Sequence, residues 1–536
     1  MSILRKDKKD KNDPPPPPAT RRGRYNRPIA IAIVLVVALL GTAAALLAAK
    51  WPFTPAKMTA RLENATSGSV RFGGFQTKYF PPGCVIEALE LRPHDGAGTV
   101  ALMTVRRLTI LSNYRQLLLH QRIEVMHLED VHVDMGRREE LKSNSEGENG
   151  NGASNRSSNN SSNDFTSIAE VVVDGGAVEY PRHEQPPLIF NVHRLTLDNV
   201  VQGKRISFHV TLDNPLPPGN VRADGQFDPW NVSDIKETPL SGTYRFTDAK
   251  LNTLGGMAGT LSSQGSFAGP ADALRVQGTT DTPDYQVKSA GHPLRLRTEF
   301  QAVVNCANGD VGLQSIRGQF KKTSFGVAGD VTGKTNARSK VASLRVADPG
   351  GRIEDWLLLL TSGQTPAMTG PISFQAHVTI PGGPKPFMRR VRLEGDFGLT
   401  DVAFTNEHTQ ESVSELSLRA QGQKLPDPKK EPLPKITGRL SGHVELLDGV
   451  AHFSHLSYSL PGVVATVQGT YSFNDEKIDL HGEMQVDTKV SKTASGPKGL
   501  LTRAAEGLLA KGRGKGEILP VKLTGTYAHP SYGLDK

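Results

Sequence analysis

The sequence predicts a mainly β protein in which one N-terminal transmembrane helix precedes a long array of repeated antiparallel strands. Three observations support this fold class. An uncharged apolar segment is long enough to cross a membrane, a strand-and-turn unit recurs four times, and 54 Gly and 36 Pro interrupt the 536 residues at short intervals. Frequent Gly and Pro favour many short strands over long helices. Repeated strands also account for the length of the chain. A single ordinary core of this size would divide into several domains, whereas stacked repeats can continue to add strands.

The transmembrane helix is predicted over residues 29–49, which contain no charged side chain. About 20 apolar residues span the hydrocarbon core of a bilayer. A cleaved signal peptide is the alternative, with residues 43–45 as its small-residue cleavage site. The apolar region of a signal peptide is ordinarily about 7–15 residues long, whereas this run continues to Ala49. We therefore expect an uncleaved anchor, which is defined by Ile29, Val34, Leu39, Leu46 and Ala49 and followed by Trp51 at the membrane interface.

The charge distribution orients that helix. Residues 1–28 form a basic, Pro-rich tail with nine Lys or Arg against three Asp, which accounts for six of the nine net positive charges of the chain. Positive residues stay on the cytoplasmic side of a membrane, so the tail is predicted to be cytoplasmic and the rest exported. A nucleic-acid-binding protein would carry its basic charge on the folded part. We therefore expect no nucleic-acid partner.

The recurring unit consists of Gly, apolar residues two and four positions later, and Asp six positions later. Its four copies begin at Gly242, Gly395, Gly442 and Gly469. Apolar residues at a spacing of two line one face of a strand. The Asp is expected to start a turn, as in the hairpin pair Asp448-Gly449, and the leading Gly suits a bulge or a close backbone approach. The unit therefore predicts a meandering antiparallel array.

Other segments complete the predicted organisation. We expect a β domain over residues 50–137, repeated strands over 165–420, a linker over 421–435 and a C-terminal β region over 436–536. Residues 138–164 are rich in Asn, Ser and Gly and are expected to form a disordered insertion at a hairpin tip. Residues 414–418 alternate in polarity and are expected to form a further strand. Short helices are expected at 113–119, 352–360 and 498–510.

No motif indicates catalysis, and we expect neither an enzyme nor a cofactor. The sequence contains no Gly-x-Ser-x-Gly, phosphate-binding or dinucleotide-binding motif. His443, His452 and His455 form the densest histidine group, but their spacing does not match a metal site, so no metal is expected. Cys84 and Cys306 could pair in an oxidising compartment, although two isolated buried thiols are favoured.

Three regions of the chain resemble AsmA-like proteins, which are relatives of TamB and of the bridge-like lipid-transfer proteins. After the apolar helix come segments 82–91, 105–118 and 123–135, in the order that is typical of AsmA-like N-terminal domains. Residues 351–383 form the second region. The third, residues 395–535, ends in a strand followed by Gly-Thr-Tyr-Ala-His-Pro, which is similar to the close of the AsmA-like C-terminal region. The middle of the chain matches only in its β character.

The resemblance implies both a fold and a function. It implies an elongated, curved β groove with an apolar concave face, anchored in the inner membrane with its body in the periplasm. Such a groove would shield and move phospholipid, or support outer-membrane biogenesis, without chemistry. The alternative is a structural protein that assists outer-membrane protein assembly without carrying lipid. The expected partners are accordingly a phospholipid membrane and outer-membrane proteins or assembly factors.

The same resemblance assigns candidate site residues from the repeat units. The side chains expected to face lipid are Tyr244, Phe246, Phe397, Leu399, Val444, Leu446, Tyr471 and Phe473. Alternation by itself does not distinguish an open groove from a closed sandwich of two sheets, because both bury the apolar face of each strand.

Overall fold

The computed structural model describes residues 51–66, 68–93, 103–120, 122–135, 167–182, 185–201, 203–229, 238–288, 292–306, 309–333, 340–383, 385–426, 431–486 and 517–535. Among these residues, no helix combines the length and the apolar character that a membrane crossing requires. The predicted tail at 1–28, the anchor at 29–49, the segment 138–164 and the helix at 498–510 lie outside them. The anchoring and orientation of the chain therefore stay predictions.

The chain divides into two compact units, residues 1–60 and 61–536. In the described part of the first unit, the side chains of Trp51, Phe53 and Met58 are buried. The rings of Trp51 and Phe53 meet edge to face with their centroids 6.1 Å apart. Lys57 Nζ donates a hydrogen bond to the Trp51 carbonyl oxygen over 2.8 Å. Trp51 thus belongs to a packed segment, and the interfacial role that the sequence predicts for it is untested.

The described helices are few and short. They are α1 (Pro55–Thr66), α2 (Tyr114–His120), α3 (Ile353–Leu360), α4 (Phe387–Arg390) and α5 (Glu407–Ala420), with a 3-10 helix at Leu251–Leu254. The helices predicted at 113–119 and 352–360 are confirmed as α2 and α3, each with its first residue shifted by one.

Strands account for most of the rest. In chain order they are β1 (Gly68–Arg71), β2 (Gly74–Lys78), β3 (Gly83–Pro93), β4 (Met103–Leu111), β5 (Arg122–Asp134), β6 (Ser167–Arg182), β7 (Gln185–Val201), β8 (Ile206–Pro215), β9 (Pro218–Phe227), β10 (Pro239–Lys250), β11 (Met257–Ala258), β12 (Thr260–Pro270), β13 (Leu274–Val287), β14 (Leu294–Val304), β15 (Val311–Phe320), β16 (Thr323–Thr332), β17 (Val341–Arg352), β18 (Met368–Thr369), β19 (Pro371–Ile380), β20 (Arg392–Phe404), β21 (Gly438–Leu447), β22 (Val450–Leu460), β23 (Val463–Ser472), β24 (Lys477–Val486), β25 (Glu517–Thr526) and β26 (Pro530–Leu534).

These 26 strands join into one sheet. Strands β1 and β2 both pair with β3, and from β3 onward each long strand pairs with the next long strand of the chain. The short β11 and β18 pair with β13 and β20. The described strands show no pairing between β26 and β1, so the sheet is open. The prediction of a mainly β, meandering antiparallel array is confirmed.

One connection differs from its prediction. Strands β5 and β6, which flank the Asn- and Ser-rich segment, pair in parallel rather than as a hairpin. Parallel neighbours require a crossover of a dozen or more residues, because the chain must return to the starting edge of the sheet. The expectation of a hairpin between these two strands is therefore wrong. The composition of the segment does not reveal the direction of the strand that follows it.

The two faces of the sheet differ in polarity along its whole length. Residues opposite each other on paired strands share a face, and one such row runs Ile372, Leu399, Leu440, Tyr458, Ala465, Met484 and Leu519. We call the face that carries this row the apolar face. On the opposite, polar face a row runs Arg222, Arg245, Gln264, Thr279, Glu299 and Arg317. The period-2 pattern of the repeat unit therefore becomes a continuous one-sided sheet.

The leading Gly of the first repeat copy lies against a neighbouring backbone and a ring. At Gly242 an added Cβ would lie 2.2 Å from the Asp224 carbonyl oxygen and 2.8 Å from Phe267 Cζ, so a neighbouring backbone and a ring occupy the space of a side chain. The close backbone approach expected for this position is confirmed. Aromatic rings that cover strand glycines fill the space of the missing side chain and fix register.

The Asp of the repeat has two structural roles. Asp448 and Gly449 both have positive φ, 50° and 81°, between β21 and β22, as the predicted two-residue hairpin turn requires. Asp248 and Asp401 also have positive φ, 58° and 51°, but they lie inside β10 and β20, where the strand register shifts. For these two copies the predicted turn is wrong. Asp tolerates the left-handed conformation that such bulges need, and bulges bend and twist a sheet.

Helix α5 replaces a predicted strand. Residues 414–418 alternate in polarity, yet they lie inside this helix. The Asn406 side chain accepts a hydrogen bond from the Thr409 backbone N–H over 3.0 Å and caps the first turn. Val413 and Ala420 are buried against Val463 and Leu519 of the sheet. Five alternating residues are too few to separate a strand from one face of a helix, and the cap was the missed signal.

The two cysteines are free thiols. Cys84 is fully buried on β3, and burial raises the pKa of its thiol to about 12. Cys306 lies exposed after β14. The expectation of two unpaired thiols is confirmed. The expectation that both are buried is wrong for Cys306.

A labelling experiment follows from this difference in exposure. In the native protein at pH 7.5, a maleimide is expected to modify Cys306 and to leave Cys84 unmodified, because the reactive thiolate at Cys84 is both inaccessible and rare. Intact-mass measurement should give one adduct without urea and two with urea. Cys306→Ser is the control and should give none until the chain unfolds. Rapid native labelling of that variant would contradict the burial of Cys84.

Candidate functional site

All eight candidate residues lie on or continue the apolar face, but in different surroundings. Tyr244 and Phe246 lie on β10, and both side chains are partly buried. Phe397 and Leu399 pack in a cluster with Ile372, Val402 and Trp356. The other four, which are Val444, Leu446, Tyr471 and Phe473, pack in a cluster with Phe387 and Met388 of α4. Six of the eight therefore belong to packed clusters that also include helix residues.

Helix α3 covers the centre of the apolar face through Trp356. The ring centroid of Trp356 lies 4.9 Å from that of Phe320, 5.6 Å from that of Phe325 and 5.1 Å from that of Phe374, all at steep angles. Edge-to-face contacts of this kind add to the free energy of burial. Leu359 of the same helix is buried among apolar side chains of β13 to β16. The predicted amphipathic segment thus bridges distant strands of the sheet.

Two buried carboxylates hold α3 in place, and the sequence did not single them out. Asp348 is 1% exposed and accepts hydrogen bonds from Trp356 Nε1 over 2.7 Å and from the Gly351 N–H over 2.6 Å. Asp355 is 3% exposed and accepts from Thr323 Oγ1 over 2.9 Å. Buried carboxylates require such donors, because desolvation penalises an unpaired charge. The Asp-Pro-Gly-Gly sequence immediately before an amphipathic helix, which forms a bulge in β17, was the available signal.

Helix α5 covers the C-terminal part of the same face. It packs against strands β22 to β25, where the buried partners of its Val413 and Ala420 are Leu460, Val463, Met484, Val486 and Leu519. Ser417 Oγ donates a hydrogen bond to the Pro461 carbonyl oxygen over 2.7 Å and fixes the helix to the β22–β23 turn. Helices α3, α4 and α5 together cover parts of the apolar face between β13 and β26.

The loop after α3 joins the two rims of the sheet. Strand β17 ends and β19 begins at one rim, rim A, whereas the turns after β23 and β25 lie at the opposite rim, rim B. From rim A, Ser362 Oγ donates a hydrogen bond to Glu476 at rim B. The Ala367 N–H donates to the Tyr527 hydroxyl, also at rim B, over 3.0 Å. We call the segment 361–367 the strap.

A second contact also joins opposite rims. Gly256 follows β10 at rim A, and Phe387 begins α4 at rim B. A Cβ added to Gly256 would lie 2.1 Å from Phe387 Cγ, so the ring packs directly on this glycine. Gly256 has φ of 80°, which an L side chain rarely adopts. These contacts between opposite rims require a strongly curved sheet. Helix α3 packs on the apolar face and leads into the strap, so the apolar face is on the inner side of the curved sheet.

The polar face carries several histidine–carboxylate pairs. His443 Nδ1 lies 2.9 Å from Asp396 Oδ1, and His443 Nε2 lies 4.0 Å from carboxylate oxygens of Glu394 and Glu445. These three carboxylates are largely exposed. Exposed acidic groups around a histidine are an ordinary solvated arrangement. The group also lies on the face opposite to the candidate residues.

One polar-face histidine gives a pH-dependent prediction. His481 Nδ1 lies 2.7 Å from Asp535 Oδ2 and its Nε2 lies 2.9 Å from Asp479 Oδ1, and hydrogen bonds to these carboxylates raise its pKa. The pair therefore stabilises the folded chain below the unfolded pKa of about 6.5, and this contribution is lost as pH rises through the folded value. An NMR titration should place the pKa of His481 above 6.5 and lower it in Asp535→Asn. Equal values in both proteins would contradict the pairing.

In comparisons with known proteins, no protein-family model and no curated protein sequence matches the chain. The likeness to AsmA-like proteins therefore depends on the motifs quoted above.

Proposed function

We propose that this chain is an AsmA-like, inner-membrane-anchored protein whose periplasmic body shields phospholipid along the apolar face and moves it. The observation that carries the proposal is the continuity of that face. Apolar residues occupy the same side of paired strands from β3, where Ile86 lies opposite Leu108, to β25, where Leu519 lies opposite Met484. A protein that only needed a core would not require one apolar surface across so many strands.

The physical basis is the transfer of acyl chains out of water. Burying one CH₂ group contributes about 0.8 kcal/mol, so a 16-carbon chain gains about 12 kcal/mol on an apolar surface. Strands about 4.8 Å apart would extend such a surface over roughly 100 Å along the sheet. An amphiphile could therefore travel along the sheet with its chains continuously covered.

The distribution of helices suggests where lipid lies against the sheet. Helices α3 to α5 fill parts of the apolar face between β13 and β26 with side chains of the protein itself. The preceding strands carry partly buried apolar residues such as Phe246 and Phe267. We therefore place the lipid contact nearest to Tyr244 and Phe246. The six candidates that share clusters with helix residues have a structural role in this proposal.

Site-specific photo-crosslinking tests the proposal in cells. A benzophenone amino acid in place of Phe246 should form adducts with phospholipid that mass spectrometry detects after purification of the full-length chain. The same group in place of Arg245, the adjacent exposed residue on the polar face, is the matched control and should give no lipid adduct. Absence of lipid from the Phe246 site, with both proteins folded, would refute the lipid function.

A specific observation favours a second candidate, a structural or interaction protein for outer-membrane assembly. Six of the eight candidate residues are held in clusters with α3 and α4, as in a solid core. In that case the crosslinker in place of Phe246 should capture a protein partner or none, and phospholipid should be missing from both positions.

A further inference from the structure

Four hydroxyl groups interrupt the apolar face beside Phe246. Ser263, Thr280 and Thr298 lie opposite one another on β12, β13 and β14, at the same level as Phe246 on β10. Tyr244 lies two residues before Phe246 on β10, and its hydroxyl reaches Ser263. We call Tyr244, Ser263, Thr280 and Thr298 the hydroxyl row.

The row is paired internally and still has hydrogen-bonding capacity. The Tyr244 hydroxyl lies 3.0 Å from Ser263 Oγ, and Thr280 Oγ1 lies 2.7 Å from Thr298 Oγ1. In each pair one hydroxyl donates and the other accepts, so the accepting hydroxyl keeps a hydrogen for another acceptor. The described residues supply no further partner to these four groups. Two O–H donors therefore remain available on the apolar face.

The row is shielded from water without being enclosed, because Ser263 is buried while Tyr244, Thr280 and Thr298 are half-buried. Ser263 is 8% exposed, and burial raises the pKa of Tyr244 while the hydrogen bond to Ser263 opposes that rise. Glycines border the row: Gly265 and Gly278 lie opposite each other at the level of Tyr244, and Gly318 lies opposite Thr298. A Cβ at Gly278 would lie 2.8 Å from the Tyr244 oxygen, so the missing side chain at Gly278 is what allows the Tyr244 hydroxyl to lie over this strand and reach Ser263.

A hydrocarbon chain cannot accept hydrogen bonds from these hydroxyl groups, whereas an oxygen atom can. A hydroxyl hydrogen that is removed from water without an acceptor lowers the stability of the bound state. A carbonyl or carboxylate oxygen accepts this hydrogen and removes the penalty. The chemistry of the row is therefore suited to the oxygen-bearing end of an acyl chain.

We propose that the hydroxyl row is a subsite that binds the acyl carbonyl oxygen of an amphiphile lying on the apolar face. This inference rests on the proposed lipid function and adds a chemical preference to it. Acyl lipids should bind better than lipids of equal length and headgroup that have ether linkages, because only the former present a carbonyl oxygen to the row. The carbonyl belongs either to an ester lipid or to a free fatty acid.

A competition between two lipids tests this preference. The full-length chain, purified in detergent, is equilibrated with equal amounts of dipalmitoyl-phosphatidylglycerol and its dihexadecyl ether analogue, and bound lipid is quantified by mass spectrometry. One hydrogen bond corresponds to about a five-fold preference, which we expect for the ester lipid. Added palmitate then distinguishes the sources: displacement of the ester lipid assigns the row to a free carboxylate, and retention assigns it to the ester.

Variants that remove both hydroxyls of a hydrogen-bonded pair test the subsite with little effect on folding. Tyr244→Phe with Ser263→Ala removes one pair, and Thr280→Val with Thr298→Val removes the other. Neither double variant therefore leaves a hydroxyl without its hydrogen-bonding partner. Combining them should reduce the ester preference to about one. Thr279→Val, on the adjacent position of the polar face, is the matched control and should keep the full preference.

The outcomes distinguish this inference from the function on which it rests. Binding of both lipids without preference by the unaltered protein would overturn the subsite and leave the lipid function intact. Retention of the preference in the combined variant would also overturn the subsite. Binding of neither lipid would overturn the proposed lipid function itself.

Discussion

Replacing Trp356 by alanine is expected to destabilise the sheet by about 3–5 kcal/mol, because it removes a large buried ring and leaves a cavity among three aromatic neighbours. The substitution also leaves Asp348, which is 1% exposed, without the Trp356 N–H donor. The loss should be seen as a lower urea midpoint in circular dichroism. Hydrogen exchange should quicken in β15, β16 and β19, which carry Phe320, Phe325 and Phe374.

A graded control separates ring packing from the hydrogen bond. Trp356→Phe keeps an aromatic ring but removes the donor to Asp348, so its effect should be smaller than that of alanine and of the order of 1–3 kcal/mol. Exchange in β3 to β5, far along the sheet, should not change in either variant. A shift below about 1 kcal/mol for Trp356→Ala would show that α3 does not hold the sheet.

Placing a charge on the apolar face at Phe246 is expected to remove bound lipid, with a loss of more than about ten-fold in co-purifying phospholipid for Phe246→Asp. A carboxylate on this surface must either lose its water or exclude the acyl chain, and both are unfavourable by several kcal/mol. Phospholipid extracted from the purified full-length chain and quantified by mass spectrometry is the measurement. Arg245→Asp changes the adjacent polar-face residue and should leave lipid content unchanged.

The same charge at Phe397 should act differently. Phe397 packs in the cluster that contains Trp356, so Phe397→Asp is expected to unfold part of the sheet and to accelerate hydrogen exchange in β19 and β20. If Phe246→Asp instead kept its lipid while folded, the apolar face at β10 would not be a lipid surface. If both substitutions unfolded the protein equally, β10 would belong to the core, as the structural alternative requires.

Local patterns predicted the strands well and their connections less well. Alternation at Tyr244 and Phe246 placed both residues on one face, and the Asp448-Gly449 turn formed as expected. Asp248 and Asp401 have the same sequence context but form bulges, because strand pairing continues beyond them. Whether an Asp with positive φ ends a strand or bends it depends on the neighbouring strand, which lies outside the repeat unit.

The candidate site shows the same division. The eight residues lie on one side of the sheet, since their spacing determines their face. Their separation into a group covered by helices and a pair on β10 was not predictable, because α3 and α4 reach Phe397 and Val444 only through the folded chain. The hydroxyl row was also missed: Ser263, Thr280 and Thr298 are distant in sequence, and only strand register brings them together.

The sequence by itself determined the β character of the chain, the one-sided polarity of its strands and the positions of two of its helices, because these depend on spacing between residues that are close along the chain. Only the tertiary structure decided the parallel pairing of β5 and β6, the helical state of residues 414–418, the contacts between the rims and the cover over the apolar face. Each of these results from side chains that meet across the sheet, and contacts between distant residues have no local pattern.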